Sequence, residues 1–458
     1  MVDGVTRFGR RMGRVRSSAM RFTTSEIAVV TGGEVFGRDV SVDGAGIDSR
    51  RIETGQLFVP IVAGRDGHEF IASATRAGAG AYLTSGPIEA GTAVRVADTA
   101  AALTALGHHA RDRLPERVVG ITGSVGKTSL KDLLATVGSA TWRTAASVGS
   151  FNNELGVPLT LTNAPDETEL AVVELGARAR GHIAELCSVA RPTVGVVTVV
   201  AGAHLEMFRT LDEVAAAKAE LVASLSASGI AVLNADDERV AAMARATEAD
   251  VVRFGTTGGD VRAEAIELDE HLCPSFTLVS AWGSAPVRLG VAGRHQVTNA
   301  LGAAAAALAL GAPIDGVVEA LGRARLTAMR MDLLTRGDGV RILDDSYNAN
   351  PTSVLAALDS LVATTGGRHF AVLGTMAELG GASGDAHASI AAAAAERGIR
   401  VVAVAEPRYG VVGDDAVDRP EDAVGRLSAL GLTGGDVVLV KASRAAELER
   451  VVALLHKG

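Results

Sequence analysis

The ten residues Gly120-Ile-Thr-Gly-Ser-Val-Gly-Lys-Thr-Ser129 decide how this chain is read. Val118-Val-Gly-Ile121 enters them as a buried strand, and residues 127–137 leave them as a helix. Glycines at such a junction let the backbone wrap around phosphate oxygens, and successive N–H groups with the helix N-terminus add positive potential. In that role Thr122, Gly123, Ser124, Gly126 and Ser129 line the phosphates of ATP, and Lys127 reaches the outer ones. The Thr128 hydroxyl is placed to bind Mg²⁺. The competing reading is a plain glycine-rich turn, which would not need Gly-Lys-Thr at the helix start. Position 121 is Ile where a generic phosphate loop carries its first glycine, so the string is a narrower form, Gly-x-Thr-Gly-Ser-x-Gly-Lys-Thr.

Outward from the loop, apolar runs rich in β-branched residues recur at 171–174, 193–200 and 229–234. Strands buried on both faces of a parallel sheet have that pattern. Residues 260–290 look antiparallel, broken by Pro274 and Gly283, and the apolar run 300–310 is too short to span a membrane and reads as a core helix. Strand-like runs resume at 340–345, 369–373, 401–404 and 436–440 between alanine-rich segments, which predicts a second doubly wound domain. Before the loop, residues 56–61 and 81–83 read as strands and 68–79 as a helix, a smaller α/β module. The chain of 458 residues is long enough for two to four domains at about 100–200 residues each.

Composition narrows the function classes. A net charge of -9 argues against a nucleic-acid partner, which would want a basic face. Two cysteines, Cys187 and Cys273, exclude a disulfide framework and suit a reducing, cytoplasmic setting. The first twenty residues carry Arg7, Arg10, Arg11, Arg14 and Arg16 without the apolar segment of a secretory signal. They are expected to be a basic, disordered extension, with Met20 as an alternative start.

The narrow loop resembles that of the Mur ligase and folylpolyglutamate synthetase superfamily, and further motifs follow in that family's order from Met20 on. The resemblance implies a three-domain α/β architecture: a uridine-nucleotide-binding domain over 21–110, a central ATP-binding domain over 111–312 with a phosphate-loop parallel sheet, and a Rossmann-like ligase domain over 313–458. Glu174 closes the strand-like Val-Val-Glu and matches a Mg²⁺ ligand. His204, in Ala-His-Leu-Glu, matches a catalytic, metal-binding histidine. Lys218, in Ala-Lys-Ala-Glu, matches a lysine that is carbamylated by CO₂ and then helps to bind metal; by composition alone it is only a helical lysine. Asn152 and Asn153 in Ser-Phe-Asn-Asn-Glu-Leu-Gly-Val-Pro158 match a substrate loop. Asn299, in Gly293-Arg-His-Gln-Val-Thr-Asn299, matches an asparagine near the adenine, and Arg330 an arginine near the phosphates. Asp344-Asp-Ser-Tyr-Asn-Ala-Asn350 is the most diagnostic string, with Asp345 facing the ribose and Tyr347, Asn348 and Asn350 beside the substrate. Ser49 and Arg50, with Asp66-Gly-His68, match the uridine-binding module. The branch of the family carrying these motifs joins D-alanyl-D-alanine to a UDP-linked muramoyl tripeptide through an acyl phosphate, for the cell wall. A monomer without membrane insertion is expected.

Five positions depart from the branch pattern: Ser150, Val199, Met329, Thr375 and Ala442. Most are expected on loops outside the ATP site, where they would alter recognition of the amine. Two rival readings follow: a relative that couples another carboxylate and amine, and a nucleotide-binding protein that no longer ligates.

Overall fold

In the computed structural model, residues 19–202, 206–208 and 210–457 are described, and they divide into two compact units. The basic extension therefore lies almost wholly outside the described residues. The first unit comprises the chain through Ala102 together with Thr162–Asp166, and the second takes the remainder.

The first unit is built on a five-stranded sheet in the order Glu34–Phe36, Ala93–Arg95, Ala81–Thr84, Leu57–Phe58, Ala45–Gly46. Only the pairing of the first two strands is antiparallel. Phe58, Ile71, Ala74, Tyr82 and Ala93 close its core. The strand expected over 56–61 is reduced to Leu57–Phe58, and the helix expected over 68–79 begins as a 3₁₀ turn, Gly67–Phe70, before Ile71–Ala77.

The second unit holds two larger sheets. One has nine strands in the order Gly283–Arg288, Pro274–Ser280, Val261–Leu268, Asp250–Gly255, Ile230–Asn234, Val194–Val197, Val118–Thr122, Leu170–Glu174, Thr144–Ala146. All pairings among the seven strands from Val261–Leu268 to Thr144–Ala146 are parallel. The antiparallel ribbon anticipated over 260–290 continues this same sheet, and Pro274 and Gly283 open its strands. The helix Gln296–Ala309 packs beside the phosphate-loop helix Lys127–Gly138, and Ala303 through Ala307 are fully buried. Small side chains let a helix approach its neighbours closely, which explains an alanine run as core.

The other sheet has six strands: Asp332–Thr335, Arg341–Asp344, Val437–Lys441, His369–Leu373, Arg400–Val404, Ala416–Val417. Only its first pairing is antiparallel. Alternate residues feed two cores: Ile342, Phe370, Val372, Val438 and Val440 lie in one, and Leu343, Ala371, Leu373, Val437 and Leu439 in the other. Helices on both faces of a parallel sheet produce that division, so the inner positions of these strands are apolar and polar residues such as Arg341, Asp344, His369, Arg400 and Lys441 stand at their ends. The α/β class with parallel-rich sheets expected from the sequence is the observed one. Among the described residues no helix is long and apolar enough to cross a membrane.

Candidate functional site

Parallel strands gather their carboxyl ends at one edge, and loops there bind ligands. In the second unit a cavity of about 990 Å³ lies at that edge, lined from both of its sheets. From the nine-stranded sheet come Ser124, Gly126, Lys127, Thr128, Ser129, Asn152, Asn153, Glu174, Lys218, His295 and Asn299. From the six-stranded side come Arg330, Asp345, Tyr347, Asn348, Asn350, Glu378, Lys441 and Ser443.

The phosphate loop is held in shape by its neighbours. Gly123 and Gly126 have φ of 150° and 87°. A Cβ on Gly126 would come within 2.5 Å of Asn299 Oδ1, so only glycine fits. The Ser124 N–H donates to Val199 O at 2.7 Å, and Ser124 Oγ donates to Ala201 O at 2.9 Å. This pairing peels residues 198–200 off the sheet and ends the strand at Val197, short of the expected 200. Lys127 Nζ donates back to Gly123 O at 2.7 Å. Burial pushes the Lys127 amine below its usual range, against the upward pull of Glu174.

Thr128 Oγ1 donates to Glu174 Oε2 at 2.9 Å, and Asn152 Nδ2 donates to Glu174 Oε1 at 2.8 Å. Two hard oxygens thus meet where the helix begins, the donor type Mg²⁺ prefers. Among the described residues no group of three or more imidazole, thiolate or carboxylate donors could hold a metal. Thr128 and Glu174 therefore fit an ion whose other positions are taken by phosphates and water, the usual Mg²⁺ arrangement. His204 lies outside the described residues. Lys218 is 2% exposed on the helix Leu211–Ala223 and lines the same cavity. Burial and the Lys127 charge bring its pKa down to about 7.

Across the cavity Lys441 Nζ, also buried, donates to Asp345 Oδ2 at 2.5 Å and to Asn348 O at 2.7 Å. His295 faces this pair: burial lowers its pKa, Asp345 opposes the shift and Lys441 adds to it. Its Nδ1 is buried without a partner among the described residues. Arg330 stacks 4.4 Å above the Tyr347 ring, and the Tyr347 hydroxyl hydrogen-bonds Ser150 Oγ. Asn153 Oδ1 accepts from Gly156 N–H at 2.9 Å, while Asn350 caps the helix Pro351–Val362 through Ser353 N–H at 2.9 Å.

Most sequence-derived candidates thus share one cavity. Thr122 sits behind the loop, buried, its Oγ1 unpartnered among the described residues. Gly123 backs the loop rather than lining the cavity. Ser49 and Arg50 belong to the first unit, where Arg50 grips Asp48 in a two-pronged pair at 2.9 and 2.8 Å and holds that carboxylate at about 2. Two departures do not lie where they were expected: Val199 carries the phosphate loop, and Ser150 lines the cavity against Tyr347. Lys441, His295, Glu378 and Ser443 were missed as site residues. Lys441 and Ser443 stand in a recognisable Lys-Ala-Ser string at a strand end, and that position was the available signal.

A phosphate loop facing a second α/β layer across one cavity defines a nucleotide-dependent enzyme of the α/β class. The family comparisons specify it. Residues 121–307 match the model of the Mur ligase middle domain, and 329–444 match that of the Mur ligase, glutamate ligase domain. The chain is 40% identical to the UDP-N-acetylmuramoyl-tripeptide--D-alanyl-D-alanine ligase of Mycobacterium tuberculosis, over 95% of this chain and 98% of that one. It is 36% identical to the ligase of the same name from Escherichia coli, with the same coverages. The crystal structure of MurF from Acinetobacter baumannii superposes with a TM-score of 0.86 at 30% identity, covering 96% of this chain and all of that one. MurF ligase from Thermotoga maritima, solved in complex with ADP, gives 0.76 at 28% identity over 90% of this chain and 97% of that one. The chain belongs to the Mur ligase family.

Proposed function

We propose that this chain is an ATP-dependent ligase that joins D-alanyl-D-alanine to a UDP-N-acetylmuramoyl tripeptide in cell-wall precursor synthesis. The observation that carries the reading is the pairing of Thr128 with Glu174 at the phosphate loop, in a cavity shared with Arg330, Asp345 and Lys441. Near-full-length likeness to ligases of that name supports the choice of substrates.

In the first step a tripeptide carboxylate attacks the γ-phosphorus of ATP, an O–P bond forms, and ADP leaves. Lys127, with Arg330 near the phosphates, offsets the charge that builds on the transferred group. Thr128, Glu174 and, outside the described residues, His204 would hold Mg²⁺, which when bound supplies further charge compensation. Lys218 would join them as its carbamate. Asn299 would lie beside the nucleotide, a role its tight contact with Gly126 of the phosphate loop supports, and Asp345 would take the ribose. In the second step the amine attacks the acyl carbon and phosphate leaves. Asn152, Asn153, Tyr347, Asn348 and Asn350 border the peptide-bearing substrate. Ser49 and Arg50, in a uridine-binding domain over 21–110, hold its nucleotide end, ahead of a central domain over 111–312 and a ligase domain over 313–458. We take the reaction to run in the cytoplasm, where ATP and nucleotide-linked substrates are available, and the enzyme to act as a monomer.

The test is phosphate release by purified protein with Mg²⁺, ATP, UDP-muramoyl tripeptide and D-alanyl-D-alanine, omitting one component at a time. Release that needs all of them, with a UDP-linked pentapeptide by mass, is the expected result. Nucleotide binding without release would sink this substrate pair and favour the relative that couples another carboxylate and amine.

A further inference from the structure

Lys131 lies one turn along the phosphate-loop helix from Lys127, on nearly the same face. It is 2% exposed and, unlike Lys127, does not line the cavity. A buried ammonium is costly unless its charge and its three donors are met. Three oxygens surround this one. Nζ donates to Ser147 O and to Gly149 O, each at 2.9 Å, and pairs with Asp132 Oδ1 at 2.9 Å. With its contacts so committed, Lys131 acts through what it holds.

It holds the start of the loop between the strand Thr144–Ala146 and the helix Gly156–Thr162. Gly149 turns at φ 56°, and the chain then joins the cavity wall with Ser150, Asn152 and Asn153. The same loop wraps Glu174. Glu174 N–H donates to Ser147 Oγ at 3.1 Å, Gly176 N–H donates to Asn152 O at 2.7 Å, and Asn152 Nδ2 reaches the Glu174 carboxylate. Asp132 extends the connection: its second oxygen, Oδ2, accepts at 2.7 Å from the N–H of Thr327, in the segment that leads to Arg330. One helix therefore begins with the phosphate loop and, a turn later, anchors two segments that face it.

We propose that Lys131 is a positioning residue for ligation: it fixes residues 147–153 relative to the phosphate loop, and so sets where the UDP-linked substrate presents its carboxylate to the γ-phosphate. This role rests on the ligase reading above, which puts the peptide-bearing substrate against Asn152 and Asn153. Phosphoryl transfer needs the attacking oxygen in line with the leaving group, and a displacement of about 1 Å can cost about 100-fold in rate. An ammonium bound to two carbonyls of the loop, and itself pinned in a helix, can hold that tolerance. The Lys131 charge is matched by Asp132, so removing both charges together leaves the field at the phosphate loop little changed.

The test compares the full-length protein with Lys131→Met and with the double variant Lys131→Met, Asp132→Asn. Methionine keeps most of the stem and loses the donors. It strands the Asp132 carboxylate in a largely buried place, so Tm should fall. Asparagine removes that charge and still accepts from Thr327 N–H, so Tm should partly recover in the double variant. In both proteins kcat/KM for the UDP-tripeptide should fall about 100-fold, while ATP affinity, measured by binding without the other substrates, holds. Amide exchange over residues 148–153 of the ligand-free protein should be faster in both. A double variant that regains kcat/KM together with Tm would make Lys131 a support of the fold only and overturn the proposal. An unchanged kcat/KM overturns it too, and so does a loss of ATP affinity as large as the loss for the UDP-tripeptide. Wild-type protein that does not turn over the UDP-tripeptide with ATP and D-alanyl-D-alanine overturns the ligase reading and this role with it, whereas an active wild type with unaffected variants overturns this role alone.

Discussion

Lys218 shows how far a single residue can be read. Its neighbours in sequence, Ala215-Ala-Ala-Lys-Ala-Glu, describe an ordinary helical lysine, and only the family resemblance singled it out. The fold adds the physical reason: the amine is buried on a helix facing the cavity, and burial with Lys127 nearby brings its pKa to about 7. A neutral amine is the form that attacks CO₂, so this environment suits the carbamylation proposed for the residue. The stability consequence has a definite sign. The folded state disfavours the proton that the unfolded chain keeps, so the penalty is complete below about pH 7. It is relieved as pH rises through that value toward 10.5, the ordinary value of a lysine in an unfolded chain. In CO₂-free buffer the Tm of the wild type should therefore climb between about pH 7 and 9 relative to Lys218→Met, whose profile lacks that component. A climb of equal size in both proteins would show that Lys218 is not the group responsible. Lys127, Thr128 and Glu174 were legible for a different reason: their spacing around a strand–loop–helix junction is fixed by phosphate geometry, so the chemistry is written locally. Lys441, His295 and Glu378 were not, because what makes them notable is a neighbour distant in sequence or a backbone angle. Sequence shows neither.

At the scale of elements, the βα alternation was readable because strands buried on both faces are apolar at their inner positions. The boundaries moved where contacts outside the pattern intervened, as when the Ser124 backbone N–H drew the Val199 carbonyl away from the sheet. The segment joining the two sheets is the clearest case of a feature invisible to pattern. Met329 and Met331 have φ of 64° and 59°, and between them Arg330 is turned over Tyr347. The Met329 N–H is held by Asp332 Oδ2 at 2.8 Å, which fixes the turn. Methionine in the left-handed region is strained, and its φ is one that glycine adopts freely. Met329→Gly should raise stability by about 1 kcal/mol, the strain relieved less the extra freedom of glycine in the unfolded chain, seen as a higher denaturation midpoint. Turnover should be unchanged, since Arg330 keeps its place. A lower midpoint would mean that the Met329 side chain, whose Sδ lies 3.7 Å from Arg444, contributes more by packing than its backbone costs.

At the scale of the molecule, one cavity is lined from two sheets that each have a core of their own. A nucleotide bound there should stabilise both, because the loop that cradles its phosphates and the Asp345–Lys441 pair stand at separate sheet edges. ATP at about 100 times its Kd adds about 2.7 kcal/mol to whatever must unfold to release it. Hydrogen exchange can show where that energy is felt. With ATP and Mg²⁺ the amides of residues 123–129 and 296–299 should slow, and so should those of 341–347 and 437–443. Lys441→Met should keep the first pair of protections and lose the second, since it frees Asp345 and the Asn348 carbonyl from their common anchor. Protection confined to the phosphate-loop side in the wild type would mean that the six-stranded sheet does not hold the nucleotide, and Asp345 would then lose its place at the ribose. Protection on both sides that survives in Lys441→Met would leave Asp345 in that role and make the lysine only its neighbour.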